Sequence, residues 1–219
     1  MEARRRSWER RWVGKAGTEF FWYATEPPQQ LTRLLESEPL PPGLALDIGC
    51  GNGVLTSYLA QRFELAVGLD LVFQPLSRAR TEFGDVNGAS SFVQGAVPFL
   101  PIRDSSCALV FDRDCLRNIP WSLWPRYFSE TARVLRPSGI LQILFPDRRR
   151  KPILTVKGLR TVAKDALSRK SRGGPRVLST SVVRPLLPPT LNVIREDRFL
   201  FQVPSGNRHP FTELVVRKS

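Results

Sequence analysis

Three glycines and two aspartates hold the residues best placed to do chemistry. In LALDIGCGNGVLTSYLA, residues 44–60, an apolar run leads into Asp47, then Gly49, Gly51 and Gly53, and then a helical pattern. Glycine in a strand-to-helix turn lets the backbone approach a ligand closely and take conformations that a Cβ disfavours. Asp70 ends the next apolar run, seventeen residues after Gly53. An acid there reaches the ribose hydroxyls of a nucleoside lying over the first turn. The nicotinamide pattern G-x-G-x-x-G/A fails, because Val54 stands three residues after Gly51.

A second group lies in FDRDCLRNIP, residues 111–120. Asp112 and Asp114 fall at the end of a strand, where either could position an acceptor, take a proton, or simply cap the following turn. Cys115 reads as a small buried hydrophobe and His209, between Arg208 and Pro210, as a solvated loop residue. Trp8 and Trp12, at i and i+4, and Trp121 and Trp124, at i and i+3, read as core or cover pairs. Trp22 and Tyr23 read either the same way or as part of a lid over a cationic ligand.

The elements that must position these residues follow from the alternation of short apolar runs with helical stretches. LALDIG at 44–49, LAVGLD at 65–70, SFVQG at 91–95, CALVFD at 107–112 and GILQILF at 139–145 read as strands. Helical candidates lie near 54–63, 74–83 and 122–135. That alternation predicts a doubly wound α/β domain with a parallel sheet covered on both faces. LNVIREDRFLFQ and FTELVVRK read as an antiparallel pair at one sheet edge. The expected organisation is a basic and aromatic helical lid over 1–40, a ligand-binding core over 41–147, a basic helical insertion over 148–185 and a strand pair over 186–219. Within the insertion a helix is expected near 153–168.

Here the sequence resembles the class I S-adenosylmethionine-dependent methyltransferases, whose first motif is similar to D-x-G-x-G-x-G. Asp47, Gly49, Gly51 and Gly53 match it in place. The likeness continues through Asp70, the Gly95 region, the strand ending at Asp112 and ARVLRPSG at 132–139, and covers roughly 40–217. FDRDCLRNIP and an upstream aromatic segment resemble the thiopurine and tellurite-type small-molecule branch. The resemblance implies a Rossmann-like, mostly parallel seven-stranded sheet with an antiparallel edge strand. It implies S-adenosylmethionine held by Asp47, Gly49, Cys50, Gly51, Asn52, Gly53, Asp70, Leu71, Gly95, Ala96, Val97, Asp112 and Trp22, with Asp112 and Asp114 as the catalytic candidates. Ala96 departs from the family, since many relatives carry an acid there for the adenine amino group. No metal is implied.

Charge bears on the acceptor. The chain has 219 residues and a net charge of +13, of which segments 1–16, 17–147 and 148–219 carry +4, −4 and +13. Its 42% hydrophobic and 24% charged composition excludes a disordered or collagen-like chain. A mildly acidic centre with basic flanks differs from a uniformly basic nucleic-acid-binding fold. A small-molecule acceptor is therefore favoured, with an RNA or protein methyltransferase using Arg148 to Arg176 as the alternative and a cofactor-binding protein without turnover as the second. No apolar run approaches the ~18 residues of a membrane span. Three unevenly spaced cysteines and no apolar leader point to a cytoplasmic location.

Overall fold

The computed structural model describes residues 2–15, 20, 23, 25–84, 88–147, 178–202 and 206–219. Its centre is a seven-stranded sheet in the order β3-β2-β1-β4-β5-β7-β6. The strands are β1 Leu44–Ile48, β2 Ala66–Asp70, β3 Ser90–Gln94, β4 Cys107–Arg113, β5 Leu135–Pro146, β6 Leu191–Gln202 and β7 Arg208–Lys218. β1 to β5 run parallel. β7 inserts antiparallel between β5 and β6, with Leu141 opposite Val216 and Leu144 opposite Glu213. The expected terminal strand pair is present, and β6 forms the outer edge. Its exposure alternates residue by residue, as an edge strand with one solvated face requires.

β1 and β4 are apolar on both sides because helices cover both faces. Leu46, Ile48, Val110, Leu141 and Ile143 pack with Trp124, Tyr127 and Phe128 of α5, Trp124–Val134. Those three aromatic residues recur at i, i+3 and i+4, the stripe that turns one helical face inward. On the opposite face Ala45, Leu109, Phe111 and Leu144 pack with Leu31 and Leu34 of α2, Gln29–Ser37, and with Leu55 and Leu59 of α3, Val54–Ala60. α4, Phe73–Phe83, sets Leu76 and Ala79 against Phe92 of β3. α1, Glu2–Trp12, packs by Trp12 with Phe20 and Val72 beside the ends of β1 and β2.

One boundary differs from the sequence reading. RPSG falls inside β5 rather than before it, since Leu135 already pairs with Cys107 and a register shift then carries the ladder to Leu109 and Ile140. The expected helix near 153–168 lies outside the described residues. Among those residues no helix is long and apolar enough to cross a membrane.

A buried polar cluster fastens α2 to the sheet. Glu213 has no exposed side-chain surface and pairs with Arg33 and with Arg195, the latter at 3.3 Å. Gln142 Nε2 donates to Glu213 Oε1 at 2.6 Å and to the Gln30 carbonyl at 2.9 Å. Removing one partner would leave a buried group unsatisfied, which costs more than the net gain of making the bond.

Candidate functional site

All of the parallel strands end at one cavity of about 680 Å³, within the ~300–1,000 Å³ typical of small-molecule sites. On its β1–β2 side it is lined by Gly49, Cys50, Gly51, Asn52, Asp70, Leu71, Gly95 and Val97. On its β4–β7 side it is lined by Arg113, Asp114, Cys115, Arg117, Pro146, Asp147, Phe201, His209 and Phe211. Trp8, Trp12 and Tyr23 close it from the N-terminal segment.

The glycine turn is shaped by what lies beneath it. Gly53 has φ +83°, and a Cβ there would stand 2.6 Å from the Phe92 ring and 2.8 Å from Ala79 Cβ. Gly49 has φ +74°, and its Cβ would meet Cys115 Cβ at 2.9 Å. Both positions demand glycine on two counts, backbone conformation and close packing. Asp47 lies under the turn, accepting a hydrogen bond from Thr56 Oγ1 at 2.7 Å. Burial pushes its pKa up to about 6, against the Thr56 hydroxyl and the charge of Arg113.

Asp70 joins the turn to the cavity. Its Oδ2 accepts from Gly51 N at 3.0 Å and its Oδ1 from Val72 N at 2.9 Å. Burial raises its pKa, while those backbone donors pull the other way. Each oxygen keeps a further lone pair, so the carboxylate can receive two neighbouring hydroxyls, the donor set of a ribose diol. Leu71 and Val97 add an apolar wall beside it. These residues fit a nucleoside-bearing cofactor. Ala96 is not among the lining residues, and Gly95 and Val97 flank its position there.

The two aspartates of β4 and its turn are placed differently from Asp70. Asp112 is fully buried and does not line the cavity. Its carboxylate accepts from Cys115 N at 2.8 Å, Leu116 N at 3.1 Å and Tyr127 Oη at 2.9 Å. It therefore caps the turn and binds α5, and burial pushes its pKa up to about 7. Asp114, at φ +65°, does line the cavity, but Arg117 grips both its oxygens at 2.6 Å. Asp112 thus lies away from the cavity lining, and Asp114 reaches the lining already paired with Arg117. Trp22 lies outside the described residues, as does the whole of Arg148 to Arg176.

The lone pairs of tryptophans divide. Trp124 is core, with Trp121 half-exposed against it at 4.7 Å between centroids. Trp12 meets Phe20 edge-on at 4.8 Å and stands 3.7 Å from the ideal Cβ position of Gly51. Cys50 and Cys115 are shielded thiols whose pKa values burial pushes up, which makes them poor nucleophiles. His209 sits on β7, exposed, at the cavity rim.

Sequence reasoning passed over Arg113. In β4, Leu109 and Phe111 face α2 and α3 whereas Val110 and Asp112 face α5. Period-two alternation puts Arg113 on the Phe111 side, above Asp47. Its guanidinium carbon lies 5.9 Å from the centre of the Phe201 ring. A basic residue closing the strand directly after Asp112 was the available signal, but Phe201 comes from a distant hairpin.

A family model described as a methyltransferase domain matches residues 46–143. The chain is 32% identical over 149 residues to a trans-aconitate 2-methyltransferase of Variovorax paradoxus, covering 66% of this chain and 54% of that protein. The chain spans about half the length of the curated relatives it matches. Among solved structures it is similar to a S-adenosylmethionine-dependent methyltransferase from Anabaena variabilis, with TM-score 0.68, 17% identity and coverage of 98% and 95% of the two chains. A protein solved in work on converting a disulfide bond into a thioacetal group during echinomycin biosynthesis gives TM-score 0.73 at 18% identity, covering 98% and 92%.

Proposed function

The chain belongs to the class I S-adenosylmethionine-dependent methyltransferase family, and from that premise we propose that it transfers the methyl group of S-adenosylmethionine to a small molecule by direct displacement. The observation that carries this reading is the single cavity running from Asp70 and the glycine turn to Arg113 and Phe201. Asp70 would receive the ribose hydroxyls, the backbone of Gly49 to Asn52 would hold the cofactor's tail, and Leu71, Gly95 and Val97 would bound the adenine. Asp47 and Gly53 hold the turn from beneath, and Asp112 holds the turn that presents Asp114.

When bound, S-adenosylmethionine supplies a methyl carbon on a sulfonium; an acceptor lone pair forms the new bond as the carbon–sulfur pair leaves to sulfur. The protein's share is alignment and exclusion of water, which can contribute ~7–11 kcal/mol to a two-reactant step. α1 supports both tasks, because Trp8 and Trp12 roof the cavity and the Arg4 guanidinium donates to the Asn118 carbonyl. Asp112 lies under the turn and Asp114 is clamped by Arg117, while Asp147 and His209 line the acceptor side of the cavity. A carboxylate, thiolate or neutral amine would react with no prior removal of a proton, whereas a hydroxyl would need a base such as His209 at the rim.

The experiment is incubation of the purified protein with methyl-labelled S-adenosylmethionine and a panel of such acceptors. Formation of S-adenosylhomocysteine that depends on acceptor is expected. Binding of the cofactor with no turnover across the panel would favour a binding protein instead.

A further inference from the structure

We propose that the acceptor carries a carboxylate and that Arg113 is the residue that binds it. This rests on the methyltransferase reading above and names the substrate class of the same cavity.

The argument begins with a charge that the fold leaves unmatched. Arg113 lines the cavity, and its Nη1 is buried with no hydrogen-bond partner. Burial lowers its pKa, and Asp47 and Asp114 only partly offset that through space. Neither acid forms an ion pair with it among the described residues. Asp47 is engaged by Thr56, and Asp114 by both Nε and Nη2 of Arg117. A buried guanidinium nitrogen without an acceptor is costly, and a ligand in the cavity that brings an acceptor would offset that cost.

The surroundings say what that ligand is. Phe201 lies over the guanidinium at 5.9 Å, with Phe211 4.9 Å beyond it between ring centroids. Apolar walls lower the local dielectric and strengthen an ion pair formed there. The planar fork of arginine matches the two oxygens of a carboxylate, and one guanidinium balances one negative charge. Arg4 lines the same cavity, and its side-chain hydrogen bond goes to a neutral carbonyl rather than to an acid. Among the described lining residues of the acceptor end Arg4, Arg113 and Arg117 outnumber Asp114 and Asp147, whereas the β1–β2 end carries Asp70. Two opposite charges at two ends of one cavity sort a ribose from an anion.

The test uses the full chain with straight-chain carboxylates from butyrate to palmitate, benzoate, and the matching primary amides. Methyl transfer and calorimetric binding to the S-adenosylhomocysteine complex are measured for wild type, Arg113→Gln and Arg113→Lys. At least one carboxylate should bind and turn over while its amide does not. Loss of a charged hydrogen bond predicts KM raised about 10–100-fold in Arg113→Gln, with kcat changed far less. Arg113→Lys, which keeps the charge and loses the fork, should fall between the two and serves if the glutamine variant does not fold. S-adenosylhomocysteine affinity should stay unchanged in both variants. Turnover confined to uncharged or cationic acceptors, absence of binding by every carboxylate, or an unchanged KM would overturn the proposal. So would a fall in S-adenosylhomocysteine affinity as large as the rise in KM, which would put the guanidinium on the cofactor's own carboxylate. No binding of S-adenosylhomocysteine by wild type would instead defeat the methyltransferase reading itself, and the proposal with it.

Discussion

Between Asp70 at the end of β2 and Arg113 at the end of β4, the cavity changes from a surface made by backbone to one made by side chains. The β1–β2 side consists of a glycine turn, its amides and one carboxylate tied to Gly51 N and Val72 N. The β4–β7 side gathers Arg113, Phe201, His209 and Phe211 from three strands, two of them in a hairpin from the far end of the chain. Backbone presents the same groups whatever the sequence, so the first side suits a ligand common to many relatives. Side chains vary freely, so the second side is where an acceptor is chosen.

The support beneath each side gives the largest effects. Gly53→Ala should destabilise the fold by about 2–5 kcal/mol, the sum of a left-handed backbone cost and overpacking against Phe92 and Ala79. Thermal melting checks it, and an unchanged melting point would mean that the turn relaxes freely. Asp112→Ala should cost about 2–4 kcal/mol, because it strands two buried backbone donors and the Tyr127 hydroxyl.

Asp112 also carries a pH signature. Its folded pKa of about 7 lies above the ~4 of an exposed aspartate, so the folded state holds the proton more tightly. Its contribution to stability is complete below pH ~4 and fades as pH rises towards 7. Asp47, at about 6, acts in the same direction. Melting curves of wild type and Asp112→Asn should therefore differ in slope across this window, with the variant flatter.

Smaller effects test how the roof joins the two sides. Trp12→Ala removes the ring against Gly51 and Phe20 and should weaken S-adenosylhomocysteine binding by about 1 kcal/mol, measured by calorimetry. Equal affinity would show that α1 covers the cavity without serving the ligand. Smallest of all, Cys50 and Cys115 should alkylate slowly with iodoacetamide at neutral pH, because burial keeps both thiols protonated. Fast modification of either would mean that the cavity floor opens readily.

The same division explains what could be read in the sequence. The five parallel strands, the glycine turn and Asp70 are local signals: each is an apolar run and the residue that ends it, within some thirty residues of the next. The terminal strand pair also stood out, but its insertion of β7 between β5 and β6 depends on pairing across some seventy residues. Asp112 and Asp114 looked alike as strand-end acids. Strand parity and a neighbouring arginine separate them from Asp70, and parity is set by which helix covers which face. Arg113 went unmarked because nothing adjacent to it in the chain reveals Phe201 or the engagement of Asp47 by Thr56.

The most direct test of the central claim is a calorimetric titration of S-adenosylhomocysteine into wild type and Asp70→Ala. One site per chain is expected in the wild type, with affinity lowered about 10–100-fold in the folded variant by loss of a charged acceptor for the ribose hydroxyls. Absence of binding in the wild type, or equal affinity in the two proteins, would contradict the account.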